Sequence, residues 1–315
     1  MVYETFLNTI QTMVQKRLEG KAKVTLQHVL KNNGLLLDGL TIASPESRMA
    51  PTVYLNSYYD EAEKGLPLSI ITDQILLLYE TDPGISEETA EQMMHFDSIR
   101  DRIAYRLVHA ENNRTLLTTV PHIPYLDLAI VFFVIVAENA EGQMTSLIRS
   151  EHLKLWGITE ETLIQLATEN TPRLLPSQIS PIERALEKLD TFDLLPSEEL
   201  PSVHLQVLTN TIGINGAACL LYPDVLKNFA ERVEDDLIII PSSIHEVLLA
   251  PRCKSLPYED LNTMIRFINQ TEVPPEDRLS DHIYCYSRSA GCLYLPSGAS
   301  LTPSFSLSDG TANPQ

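Results

Sequence analysis

Residues 126–149 read LDLAIVFFVIVAENAEGQMTSLIR. From Leu126 to Ala137 nearly every position is apolar, with β-branched and aromatic residues through the middle. A strand covered on both faces reads this way, because neither side of its pleat meets water. Glu138 to Gly142 supplies turn residues, and Gln143 to Arg149 resumes as a partner strand. An antiparallel pair of this kind, set among helical segments, places the chain in the α+β class. The expected architecture is two or three small modules with mainly antiparallel sheets flanked by helices.

Upstream, Phe6, Ile10, Met13, Val14 and Leu18 recur at three- to four-residue spacing before Gly20, predicting an amphipathic helix over 3–18. Residues 23–30, 35–43 and 51–55 read as short strands parted by Asn32-Asn33-Gly34 and by the Ser44 to Ser47 turn cluster. SYYDEAEK, with Asn56-Ser57 as its cap, and LSIITDQILLLYE, which stops at Asp82-Pro83-Gly84, read as helices. Residues 1–120 thus form an α-β-β-β-α module, with helix or strand left open between Ser86 and Val120. Ile99, Ile103 and Leu107 lie four apart, whereas IAYRLVH also alternates.

Downstream, residues 121–171 form a β-β-α module closed by the helices EHLKLW and TEETLIQLATEN, the first ending at Gly157. Residues 172–201, carrying Pro172, Pro176, Pro181, Pro196 and Pro201 among acidic residues around the short helix IERALEKL, read as a linker. Residues 202–295 form a C-terminal α+β module. It contains a strand over 203–209, a helix including 223–233, a hairpin of 237–240 with 247–250 joined by PSSIHE, a helix over 258–269 and two last strands, HIYCY and CLYL. Residues 296–315 are expected to be a disordered tail.

The chain of 315 residues is 44% hydrophobic and 21% charged, ordinary globular usage. Its net charge of −19 is dispersed, with 11 basic against 16 acidic residues in 1–120, 5 against 13 in 121–200 and 7 against 13 in 201–315. No basic block is available to neutralise phosphates, so neither direct nucleic-acid binding nor docking on an anionic membrane is expected. A protein partner with a basic face fits the charge. The longest apolar run falls well short of the roughly 20 residues that cross a bilayer. The opening MVYET lacks the marks of a secretory signal, so a cytoplasmic location is expected. Cys219, Cys253, Cys285 and Cys292 are widely spaced with no CxxC, fitting passive thiols in a reducing compartment rather than a disulfide scaffold or zinc ribbon.

Catalytic or metal-binding candidates are few. PHIPYLD sets His122 and Asp127 at the mouth of the most apolar strand, where a carboxylate could orient an imidazole. Against this, a histidine between prolines also reads as a loop residue, and an aspartate at a strand start as a turn closer. PSSIHE gathers Ser242, Ser243, His245 and Glu246 in one turn without the glycines of a nucleophile elbow, so a plain hairpin turn competes with function. Asp281 and His282, with His245 and Glu246, supply mixed N and O donors for a divalent metal, although no HExxH, CxxC or acidic calcium loop supports one. Neither a P-loop nor GxGxxG occurs, and no cofactor is expected. The lone Trp156 reads as a core anchor.

VYLNSYYDEAEKG, PHIPYLDLAIVF, HLKLWGITEETLIQLATENTPRLLP, GAACLLYP, IIPSSIHEVLLAP and LSDHIYCYSR together resemble an uncharacterised domain-of-unknown-function family of hypothetical proteins from anaerobic gut bacteria. The order LNSYY, WGITEETL, DLIIIPSSIHEVLL is more distantly similar to a second uncharacterised family in bacilli. The resemblance implies a cytoplasmic bacterial α+β protein, some of whose relatives lie among accessory genes of mobile elements. On these grounds the expected function is that of a non-enzymatic acidic interaction or accessory protein. The alternatives are a small metal-dependent enzyme or hydrolase using His122, Asp127, His245, Glu246 and His282, and an acidic DNA mimic acting against a defence protein.

Overall fold

The computed structural model describes residues 1–43, 52–81, 86–139, 142–186, 205–241, 243–252 and 258–296. The chain divides into two compact units, Met1–Ile99 and Arg100–Gln315. It is α+β throughout, with three antiparallel sheets among helices.

The first unit opens with α1 (Tyr3–Arg17), whose Phe6, Leu7, Ile10 and Val14 are buried as their spacing predicts. β1 (Lys23–Leu30), β2 (Leu36–Ala43) and β3 (Thr52–Tyr54) follow and pair in that order. The β1–β2 register runs from Lys23↔Ala43 to Leu30↔Leu36. The reversal uses Asn33 (φ 58°) and Gly34 (φ 72°), the two residue types that take left-handed backbone most readily. α2 (Asn56–Glu63) and α3 (Leu68–Thr81) come next. Ile71 and Ile75 of α3 join Phe6, Ile10, Leu40 and Ile42 in one core. α4 (Glu87–Met94), capped by Ser86 Oγ accepting from the Thr89 N–H, and α5 (Phe96–Ile99) complete the unit.

In the second unit the ambiguity at 99–109 resolves into β4 (Ile103–His109), paired residue for residue with β6 (Leu128–Asn139) from Ile103↔Val134 to His109↔Leu128. Periodicity could not decide between helix and strand here, because 103, 105 and 107 share a strand face and 99, 103 and 107 share a helix face. The buried strand beside it decides, since β6 has backbone groups on both edges that must be hydrogen-bonded. This pairing joins β4 to the segment downstream, so the division falls after Ile99 rather than at 120. α6 (Arg114–Leu117) follows β4. β5 (His122–Tyr125), a strand where a loop was expected, and β7 (Gly142–Leu147) share the other edge of β6. Leu128 to Val136 is buried without alternation, as a strand covered on both faces requires.

α7 (Ser150–Trp156) ends at Gly157 in left-handed backbone, and α8 (Glu160–Leu174) is capped by Thr159. The expected linker is structured at its start. Pro172 lies in the last turn of α8, and β8 (Ser177–Pro181) pairs with β9 (Gln206–Asn210), followed by α9 (Ile182–Leu186). β8 is an edge strand, where a proline removes no ladder bond that the sheet needs. The rest of that stretch, including Pro196 and Pro201, lies outside the described residues, as do Ser242, Cys253 and 297–315 of the expected tail.

A 3₁₀ turn at Gly216–Leu221 precedes α10 (Val225–Val233), and the expected hairpin forms as β10 (Leu237–Ile240) and β11 (Val247–Pro251). α11 (Tyr258–Thr271), β12 (Tyr284–Ser287) and β13 (Cys292–Tyr294) complete a six-stranded sheet in the order β13-β12-β10-β11-β9-β8.

Candidate functional site

The β5–β6 hairpin turns through Leu126 and Asp127. Leu126 is held at φ 54°, backbone that costs a leucine roughly 1–2 kcal/mol. Asp127 is fixed at the tip by its own carbonyl, which accepts from the Ala110 N–H at 3.0 Å. Its carboxylate meets side chains from the far end of the sequence. Oδ1 accepts from the Tyr284 hydroxyl at 2.7 Å, and Oδ2 accepts from Ser280 Oγ at 2.6 Å and from His282 Nδ1 at 3.3 Å.

Helix α11 sets those side chains in place. Asn262 and Asn269 stand seven residues apart, two helical turns, on its buried face. Asn262 Oδ1 accepts from the Ile283 N–H at 2.8 Å, and Asn269 Nδ2 donates to the Ser280 carbonyl at 2.9 Å and to Asp281 Oδ1 at 2.8 Å. Together they clamp the lead into β12. Ser280 Oγ also accepts from the His282 N–H at 3.0 Å. Burial first, then the Asp127 charge, pushes the Tyr284 phenol well above its ordinary range.

This arrangement orients an imidazole. A carboxylate only accepts, so His282 Nδ1 carries the proton toward Asp127, and in the neutral ring Nε2 is the nitrogen with the lone pair. The His282 side chain is 46% exposed and that of Asp127 19%. Ser280 is not placed as a nucleophile, because its hydroxyl donates to the carboxylate and not to the imidazole.

The remaining candidates lie elsewhere or serve other bonds. His122 Nδ1 donates to the Val120 carbonyl at 3.1 Å. His245 is bonded at both nitrogens: Nδ1 accepts from the Asn215 N–H at 3.2 Å, and Nε2 donates to Asp277 Oδ1 at 3.2 Å. Its turn is pinned further by Ser243 Oγ accepting from the His245 N–H and by the Ile244 N–H donating to the Asp277 carbonyl. Glu246 is partly buried, and desolvation raises its pKa while the His245 charge lowers it. Asp281 is engaged by Asn269. Of the expected groups, therefore, Asp127 and His282 meet directly and Asp281 precedes His282 in sequence, while His122 and His245 have separate partners. Among the described residues, no three His, Cys, Asp or Glu side chains gather as a metal site. Trp156 is buried against His152, and Cys219, Cys285 and Cys292 are buried free thiols.

Two polar features were not anticipated. In the first unit Asp38 accepts from the Tyr3 hydroxyl at 2.7 Å and from His28 Nδ1 at 2.6 Å, a second Tyr–Asp–His grouping. Its signal was present in the hairpin, since a register centred on the Asn-Gly turn sets His28 opposite Asp38. The second is Arg106 on β4, which no motif marked.

No helix among the described residues is long and apolar enough to cross a membrane. No curated protein and no solved structure matches the chain. The model of a family of unknown function (DUF5688) matches residues 3–288, nearly the whole of the chain that carries these sheets and clusters, and the protein belongs to that family.

Proposed function

We propose that the protein is a non-enzymatic accessory protein of a bacterial cytoplasm that docks a protein partner presenting apolar residues within a basic surface. One observation carries the reading. Helix α11 turns Met264, Phe267 and Ile268 outward, with Phe267 66% exposed, on the side opposite the Asn262 and Asn269 clamp. Positions 264, 267 and 268 form a single helical stripe, the anchor spacing of helix-mediated recognition. Large apolar groups gathered on a surface mark interaction sites. The net charge of −19 disfavours a second copy of the chain and favours a cationic partner. Replacing Phe267 and Ile268 by Ser leaves the buried face of α11 untouched. Captures from host lysate by the wild type and this variant should differ by a basic protein that elutes with salt and then rebinds in purified form only to the wild type. Identical captures overturn the reading.

A second reading has its own observation. The Asp127–His282 pair leaves an exposed imidazole Nε2 oriented by a carboxylate, the arrangement of a general base. If it acts as one, the protein hydrolyses a member of a panel of activated esters and phosphoesters, and His282→Gln abolishes the turnover while the melting temperature is retained. Equal rates in the two proteins exclude it.

A further inference from the structure

Arg106 occupies the middle of β4 and faces Val131 across the β4–β6 pair. Partners in an antiparallel pair project to the same face, and His122 of β5 pairs with the same Val131. Arg106, Val131 and His122 therefore form one row across three strands. Phe133 and Leu147, themselves a β6–β7 pair, share this face, as does Val108. The guanidinium carbon stands 6.0 Å from the Phe133 ring centroid.

The Arg106 Nε is sealed from solvent and has no hydrogen-bond partner. None of the described carboxylates pairs with the guanidinium, and desolvation acts alone in lowering its pKa. An arginine stays charged under such conditions. In a chain with 42 acidic residues, Arg106 finds no carboxylate partner among the described residues and sits in an apolar setting, where an uncompensated charge is expensive. Arg106 as a residue is only partly buried although its Nε is sealed, so the outer end of the guanidinium is the part left to a ligand.

We propose that Arg106 anchors a site for the carboxylate of a small acid with an apolar body, its Nη atoms holding the carboxylate and the partly exposed Leu147 side chain of the same face lying beside the hydrocarbon part. A carboxylate matches the guanidinium fork in shape and charge. One guanidinium neutralises one negative charge, whereas a phosphate dianion requires further cations. His122 lies at the far end of the row with Nδ1 committed to the Val120 carbonyl, leaving Nε2 to a polar substituent on the acid.

The test titrates the full-length protein with phenylacetate, 4-methylvalerate and hexanoate, and in parallel with phenylacetamide and inorganic phosphate. At least one carboxylate should raise the melting temperature of the second unit, by roughly 3 °C at ten times its dissociation constant, with no rise from the amide or from phosphate. Arg106→Met should abolish that rise while melting no lower than the unliganded wild type, because an apolar side chain of similar length removes a buried unpaired charge. A rise with phosphate alone, an equal rise with the amide, a response that persists in Arg106→Met, or no response to any of the acids overturns the site. Should Arg106→Met fail to fold, ¹⁵N-arginine spectra of the wild type decide. One slowly exchanging Nε–H must shift with a responding carboxylate, and an unchanged spectrum refutes the proposal.

Discussion

Asp127 is the acceptor on which three donors from one distant segment converge, and its removal should be costly in a way that can be apportioned. Asp127→Ala leaves the wholly buried Tyr284 hydroxyl and the buried Ser280 hydroxyl without their acceptor. A hydrogen bond to a charged group contributes about 1.5–3 kcal/mol, and an orphaned buried donor costs about 1–3 kcal/mol. The longer contact to half-exposed His282 adds little. The expected loss is about 3–5 kcal/mol. Tyr284→Phe removes one donor and leaves Asp127 its Ser280 and His282 partners, for a loss of about 1–2 kcal/mol. In the double variant the orphaned hydroxyl no longer exists, so the two losses should fall short of additivity by about 1–2 kcal/mol. Urea unfolding followed by tryptophan fluorescence measures each term. The only tryptophan, Trp156, lies in the same unit as the cluster and reports on that unit alone. Additivity within about 0.5 kcal/mol, or a loss below about 1 kcal/mol for Asp127→Ala, would refute the claim that this carboxylate ties the hairpin tip to the start of β12.

Further outcomes follow from single positions. At Gly216 a β-carbon would collide with Thr209 Oγ1, the His245 carbonyl and the Asn210 backbone nitrogen, so Gly216→Ala should destabilise by about 1–3 kcal/mol in the same urea assay. Desolvation, then the Arg149 charge, lowers the His152 pKa. The unfolded chain then takes up this proton first, and stability should fall as pH drops below the ordinary histidine value of about 6.5. His152→Gln should flatten the melting-temperature profile as pH falls from about 7 to about 5, the range over which a histidine takes up its proton. For Glu246 the sign reverses, because desolvation raises a carboxyl pKa. The folded state holds this proton more tightly, the burial penalty is present above its folded pKa, and the penalty is relieved as pH falls through that value. Glu246→Gln should therefore raise the melting temperature at neutral pH by an amount that vanishes below the ordinary carboxyl range, and an advantage independent of pH would contradict the assignment.

Local patterns carried much of the fold. The apolar stripe of 3–18, the strands about Asn32-Asn33-Gly34, the LDLAIVFFVIVA strand with its partner, the Thr159 cap and the 237–250 hairpin each lie in the structure within a few residues of where spacing and turn chemistry set them. Each depends on neighbours in sequence, so a window of a dozen residues contains the cause. β4, β5 and β8 escaped this reading. IAYRLVH satisfies two periods at once, HIPY holds a proline, and SQISP is bounded by prolines. β4 and β8 became strands because a partner distant in sequence offered an edge, whereas β5 folds back on the adjoining β6.

The same distinction separates the candidate residues. Asp127 and His282 were each legible as polar groups at strand starts, and His245 with Glu246 as a turn, but no spacing showed that Asp127 meets His282 while His245 takes Asp277. The sequence alone determined the class of the fold, the identity of most elements and the dispersed negative charge, because these follow from local backbone preference, periodicity and composition. The tertiary structure alone decided which carboxylate receives Tyr284 and that Arg106, its Nε sealed, meets no carboxylate among the described residues. Those outcomes depend on contacts across 157 residues in one case and on the exclusion of water by the whole sheet face in the other.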